Sequence, residues 1–326
     1  MSVTVRRSPL AGAASLLIVL LLIAIEIATV TGAARVSLNA AIAGDPIART
    51  ILLDVRLPRV LLAALVGAIL GMAGSTFQTL LRNPFADPFI LGVSGGAAAG
   101  AAIATAFKLA RFPGVVPLVA FVGACGATAA VFLLARRREY TDPTRLLLSG
   151  LVLNAMFSAV ILIAFALSES SDLTAALRWM MGTLFGASWD NVALVAAFAL
   201  GGFVILATFA NDLRMLAFGE DDAKSRGVDV ERVKLIGFAA SSIMTGAAVA
   251  VSGIIGFVGL LVPHLIRLIW RADYRVILPL SSLGGAILLV LADLISRTAM
   301  SAELPIGAFT AVLGVPFFLS LLRRGR

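Results

Sequence analysis

Charge is scarce in this chain. Of its 326 residues only 13% are Asp, Glu, Lys or Arg, about half the share found in soluble domains, and that excludes a water-soluble enzyme. Histidine and cysteine are nearly missing, with one of each. Cys125 sits in an apolar run with no second cysteine for a disulfide or a metal cage, so it reads as core packing. His264 cannot assemble a zinc site alone, because no Asp or Glu lies three or four residues away; it reads as a structural residue at a helix end, with an axial haem contact as the lesser reading. Paired carboxylates in apolar runs and a Ser with a His base at matching depth are also lacking, which leaves intramembrane proteolysis without its parts. A phosphate-binding loop fails as well. Lys224-Ser225 follows a glycine, but Ala223 precedes the lysine, Gly219 stands at the wrong spacing, and Glu220, Asp221 and Asp222 would repel phosphates. If ATP drives this protein, another chain hydrolyses it.

What the chain has is apolar length. Hydrophobic residues make up 60% of it and the mean hydropathy is +1.04. The runs are continuous, whereas barrel strands alternate apolar and polar residues, so the expected fold is all-α. About 20 apolar residues cross a bilayer as a helix. Runs bounded by charges or proline fall at 10–31, 60–81, 90–107, 115–135, 146–167, 192–210, 233–251, 254–269, 276–296 and 306–322, which predicts about ten transmembrane helices in a single domain, 1–326. The first run, preceded by Arg6 and Arg7, reads as a span and not as a cleaved leader. An even number places both termini on one side. With the N-terminus inside, the inner connections hold 18 of the 26 Lys and Arg residues and the outer ones 8, so both termini are predicted to be cytoplasmic. The net charge of +8 therefore reports orientation in a lipid bilayer, and nucleic acid is not implied.

Small residues recur inside the spans, as in Gly67/Gly71 and Gly96/Gly100, and predict close helix crossings. Prolines at span ends accompany Asn83-Pro84-Phe85-Ala86-Asp87-Pro88 and Glu303-Leu304-Pro305-Ile306-Gly307. These two stretches precede the second span of one four-helix group, near 57–168, and the last span of another, near 233–322, the corresponding places of an inverted internal repeat.

The longest inner connection, 211–230, contains Phe218-Gly219-Glu220-Asp221-Asp222-Ala223-Lys224-Ser225-Arg226-Gly227. Acids come first, bases last and glycine follows, which suits a short helix and its dipole. Glu220 with Lys224 and Asp222 with Arg226 are the expected i,i+4 pairs. Such a helix fits a groove in a cytosolic partner; a solvated linker is the plainer alternative. On the outer side, Arg56, Arg59 and Arg297 suit an acidic partner, or else pair locally, Arg297 with Asp293 and Arg56 with Asp54. Glu26, inside the first run, is expected to face another helix or take a proton.

Several stretches together resemble the permeases that import iron–siderophore complexes, haem and vitamin B12 in bacterial ABC transporters. They are Arg56-Leu57-Pro58-Arg59, Gly74-Ser75-Thr76-Phe77-Gln78, Asn83-Pro84-Phe85-Ala86-Asp87-Pro88, Leu91-Gly92-Val93-Ser94-Gly95-Gly96, Trp179-Met180-Met181-Gly182, Gly256-Phe257-Val258-Gly259-Leu260-Leu261-Val262-Pro263-His264 and Glu303-Leu304-Pro305-Ile306-Gly307. The resemblance implies a type II ABC importer permease of the bacterial inner membrane that works as a homodimer by alternating access. Its implied partners are two cytosolic ATPase subunits, which hold ATP and Mg, and a periplasmic substrate-binding protein; no cofactor is expected on this chain. By the same resemblance, 219–227 is the coupling helix for the ATPase. Arg56, Arg59 and Arg297 receive acids of the binding protein, while Asn83, Phe85, Thr141 and Asp142 fall at the cytoplasmic gate. Span 146–167 lines the path, with Asn154, Met156 and Ser158 as cavity-facing candidates, and Arg178 stands at the outer mouth. Haem is the expected cargo, with a ferric siderophore or cobalamin as alternatives. An ion-coupled secondary transporter is the rival class, and it would need carboxylates making a site near the midplane.

Overall fold

The computed structural model describes residues 8–32, 38–137, 140–270, 272–299 and 303–324. Arg6, Arg7, Arg35, Arg138, Arg271 and Arg326 of the charge count lie outside them. Helices appear at every predicted run: α1 (Ser8–Val30), α4 (Leu57–Leu80), α5 (Val93–Ala106), α6 (Val115–Ala135), α7 (Pro143–Ala166), α9 (Trp189–Thr208), α12 (Val230–Ser252), α13 (Val258–Trp270), α14 (Tyr274–Thr298) and α15 (Ile306–Arg324). Seven are long and apolar enough to cross a membrane; α5, α13 and the apolar part of α15 are shorter.

Between the spans lie several connecting elements, of which only the short helix within 219–227 was predicted. Short helices α2 (Leu38–Ile42) and α3 (Pro46–Thr50) lead through a π-helical turn, Ile51–Arg56, directly into α4. Helix α8 (Ser170–Met180) lies between α7 and α9. Helices α10 (Ala210–Phe218) and α11 (Glu220–Ser225) form the long connection before α12. A two-residue antiparallel pair, β1 (Arg136–Arg137) with β2 (Tyr140–Thr141), joins α6 to α7. These pieces are too short or too polar to register as apolar runs.

Helix α4 is the buried axis of the bundle. Its glycines allow backbone to meet backbone. A Cβ on Gly71 would lie 2.0 Å from the Ser281 carbonyl oxygen of α14, and one on Gly74 would lie 1.9 Å from the Gly259 oxygen of α13. Lipid gives helices little apolar drive to associate, so such contact supplies the attraction. The predicted Gly67 and Gly96 crossings are equally close, to Gly285 and Gly123. By contrast α1, α7 and α9 keep wide apolar faces exposed, including Leu22, Leu151 and Leu200.

In order, α4–α7 and α12–α15 are two four-helix groups, each with a short second helix. The stretch 83–88 precedes the second helix of the first group and 303–307 leads into the last helix of the second, α15, while 253–257 leads into the second group's own short second helix, α13. Each of the two short helices is reached through left-handed backbone, at Gly92 (φ +90°) and at Gly253 (φ +67°).

Candidate functional site

At the bundle end where α9 finishes, the chain breaks at Gly219 (φ +144°), forms α11, and stops at Gly227 (φ +81°). The Asp229 side chain then accepts from the Arg232 amide and caps α12. Ala223 is fully buried beneath α11, while Asp221, Asp222, Lys224, Ser225 and Arg226 face outward, and Phe218 is 72% exposed. A short helix presenting a polar outer face is what the sequence predicted.

Its ion pairs are different from those predicted. Neither Glu220–Lys224 nor Asp222–Arg226 forms; Arg226 reaches the Met215 sulfur at 3.7 Å instead. Glu220 turns inward to Lys234 Nζ at 2.8 Å and lies 3.8 Å from Arg82. Lys234 is 3% exposed. Its ammonium also donates to the Thr141 carbonyl at 2.8 Å and to Glu231 at 3.1 Å, and stands 5.3 Å from the centre of the Tyr140 ring. The Thr141 hydroxyl donates to the other Glu231 oxygen at 2.6 Å. One buried cation thereby joins α11, the start of α12 and the β1–β2 turn, and Glu220 extends the network to the loop after α4. A buried charge is tolerated only when paired and hydrogen-bonded in this way. Lys234 and Glu231 were missed in the sequence, although a lysine inside an apolar run was signal enough.

The gate candidates divide between two places. Thr141 belongs to this clamp. Asp142 caps α7, accepting from the Thr144 amide at 2.8 Å. Asn83 makes a tight turn by accepting from the Phe85 amide at 2.9 Å, and Asp87 repeats it with the Phe89 amide at 2.8 Å. Burial pushes the Asp87 carboxyl up to about 6, against the bond from Phe89, which favours the charged form. Phe85 lies with Phe257, His264 and Phe317 around a narrow apolar cavity. The His264 ring stands edge-on to Phe317 with Nε2 buried and without a hydrogen-bond partner, in keeping with a structural residue.

Asn154 is half-buried on α7. Its amide donates to the Phe89 and Ile90 carbonyls at 3.1 and 3.3 Å and ties α7 to the loop before α5. Met156 and Ser158 are exposed on α7, and the Ser158 hydroxyl returns to the Asn154 carbonyl at 2.9 Å.

At the opposite end, the three arginines are engaged within the chain. Arg56 and Arg297 are each 6% exposed. Arg56 donates to the Val30 carbonyl at 2.6 Å and Arg297 to that of Ala28, so both cap the C-terminus of α1, where a helix dipole favours cations. Arg56 thus serves α1 in place of the expected Asp54 partner. Arg297 Nε lies 3.4 Å from Asp293, the local pairing considered above. Arg59 bonds Asp293 at 2.9 Å and Glu303 at 3.0 Å. The outward triad expected from sequence is therefore a buried cluster, with the half-exposed Glu303 on its rim. Beside it opens a cavity of about 730 Å³ walled by Trp179, Met181 and Phe185, with Arg59, Arg178 and Glu303 as its charged groups. Arg178 is exposed on α8. Glu26 is exposed on α1 and makes no ion pair among the described residues. No cluster of three metal-ligating side chains occurs among the described residues.

Residues 16–324 match the model of the FecCD transport family. The chain is 43% identical to the uncharacterized ABC transporter permease protein YvrB of Bacillus subtilis, over 86% of this chain and 80% of that protein. It is 42% identical to the cobalamin import system permease protein BtuC of Halobacterium salinarum (85% and 74%) and 41% identical to the hemin transport system permease protein HmuU of Yersinia pestis (84% and 83%). Among solved structures, an inward-facing metal-chelate type ABC transporter superposes with a TM-score of 0.87 at 31% identity, covering 97% of this chain and 99% of that one.

Proposed function

This chain belongs to the FecCD transport family and is the membrane permease of an ABC importer of the metal-chelate type, with ATP hydrolysis on a separate subunit; we propose that its cargo is haem, carried inward by alternating access through a homodimer. The observation that carries the cargo assignment is the cavity beside α8. Its volume of about 730 Å³ falls in the ordinary range for small-molecule sites. Trp179, Met181 and Phe185 offer an apolar wall for a flat macrocycle, and Arg178 at the rim offers a cation to its propionates.

Motion enters at the other end. The outer face of α11 seats in the ATPase, which holds ATP and Mg. The Lys234 clamp then passes displacement of α11 to the β1–β2 turn, and through Glu220 to the loop carrying Asn83 and Phe85. The exposed face of α7 around Met156 lines the path between two copies of the chain. On the outer surface, Glu303 and the edge of Arg59 meet the periplasmic binding protein, with Arg56 and Arg297 supporting them from beneath. The 18 to 8 division of basic residues supports cytoplasmic termini in the inner membrane.

Cobalamin is the second reading, because a relative named for it matches as well as the one named for hemin. Proteoliposomes holding the chain with its ATPase and binding protein separate the two. ATP-dependent haem uptake is expected. Cobalamin uptake without haem uptake would overturn the cargo assignment while leaving the permease intact.

A further inference from the structure

A second cavity, of about 340 Å³, opens at the α11 end of the bundle between α10, the loop after α4, and the junction of α13 with α14. Arg82, Arg214 and Arg267 line it, and Asp273 is the single carboxylate among its lining residues. The charges do not balance. Arg267 donates only to the Ser75 carbonyl at 3.4 Å and the Thr79 hydroxyl at 3.2 Å, and no carboxylate lies within 4.0 Å of it among the described residues. Arg214 stands 3.6 Å from Asp273, with its Nε buried and unbonded. That Asp273 oxygen is shared with Arg275 at 3.3 Å. Arg82 has only the 3.8 Å contact with Glu220, whose other oxygen belongs to Lys234.

Three guanidinium groups thus line one recess, and the two carboxylates near them, Asp273 and Glu220, are each shared with a further cation. Guanidinium groups are matched best by an anion with several oxygens, which accepts paired N–H bonds. We infer that this cavity binds a phosphate group. Ile277, Ala272 and Phe218 are its apolar lining residues, and it opens where α4 and α13 end and α14 begins. Basic recesses between spans at that level suit the headgroup of an anionic phospholipid. A free phosphate carries the same recognising chemistry. Nothing in the assignment depends on which cargo the permease carries.

The test uses the full chain in detergent, exchanged into mixed micelles of phosphatidylglycerol with phosphatidylcholine, and read by native mass spectrometry. A parallel arm titrates inorganic phosphate against the delipidated protein by calorimetry. One phosphatidylglycerol per chain is expected to persist where phosphatidylcholine washes out. Arg214→Gln and Arg82→Gln are each expected to weaken its retention roughly fivefold, as about one surface charge is worth. Arg82 is half-exposed, so its replacement keeps the test alive if buried variants fail to fold. Binding of inorganic phosphate with the same arginine dependence, and no lipid preference, supports the phosphate site and assigns it a soluble source. If neither probe binds, or if both bind identically to wild type and variants, the inference is overturned. It is equally overturned if the variants leave phosphate binding intact and weaken only ATPase association.

Discussion

Replacing Lys234 by Met removes the cation that holds α11 against the bundle. A helix of six residues is far too short to persist unaided, so its order rests on Ala223 packing and on this clamp. Lys234 contacts Glu220 at 2.8 Å and Glu231 at 3.1 Å. Removing one partner of a buried ion pair costs about 3–5 kcal/mol. The carboxylates keep 13% and 29% side-chain exposure, so water resolvates them in part and the low end applies, about 3 kcal/mol. That corresponds to roughly a hundredfold faster opening of the local structure, at about 1.4 kcal/mol per decade. The amides that report it are those of Ala223, Arg226, Gly227 and Val228, each bonded within the 219–228 turn system. Hydrogen exchange at these amides is the assay, with α4 amides as the internal reference. Exchange in Lys234→Met within threefold of wild type would refute the clamp. Adding Glu220→Gln and Glu231→Gln is expected to recover most of the loss, because the uncompensated charges are then gone.

Two further outcomes follow from particular contacts. Gly71→Leu is expected to cost at least about 3 kcal/mol by thermal unfolding in detergent, since even a Cβ meets the Ser281 oxygen at 2.0 Å. Gly126→Leu, with nothing within 4 Å, is expected to be nearly neutral, and equal losses at both sites would undercut the backbone-contact reading. The Asp87 carboxyl is raised to about 6, above its unfolded value of about 3.9. The folded state therefore keeps a proton that the unfolded chain has lost. Stability is expected to fall by roughly 3 kcal/mol as pH rises from about 4 to about 6, and to stay level above that. Asp87→Asn is expected to flatten this slope; unchanged pH dependence of the melting temperature would show that another group carries it.

Much of the fold was readable because lipid imposes one strong rule. Backbone in hydrocarbon must satisfy its own hydrogen bonds, so each long apolar run had to be a helix, and all ten are. Glycine spacing also forecast real crossings, since only small residues let helices touch without water to drive them together. The acidic-to-basic order of 219–227 carried its helix through local physics, the dipole and the terminal glycine. Those signals act over a turn or two and need no distant partner.

What escaped the sequence was pairing at long range. Glu220 has an i,i+4 partner in Lys224 but takes Lys234, because a buried ammonium has no alternative and an exposed one has water. Arg56 and Arg297 look like surface charges beside an outer loop, yet α1 ends against them and its unsatisfied carbonyls draw both inward. Asn154 reads as a polar residue within a span, and only the fold shows that the loop before α5 brings the Phe89 and Ile90 carbonyls to its amide. The sequence alone determined the number and type of the apolar helices and the family to which they belong. Only the tertiary structure decided which charges are spent inside the molecule and which remain for partners. A charge is satisfied by whatever the fold brings within 4 Å, and one chain's order of residues does not state that distance.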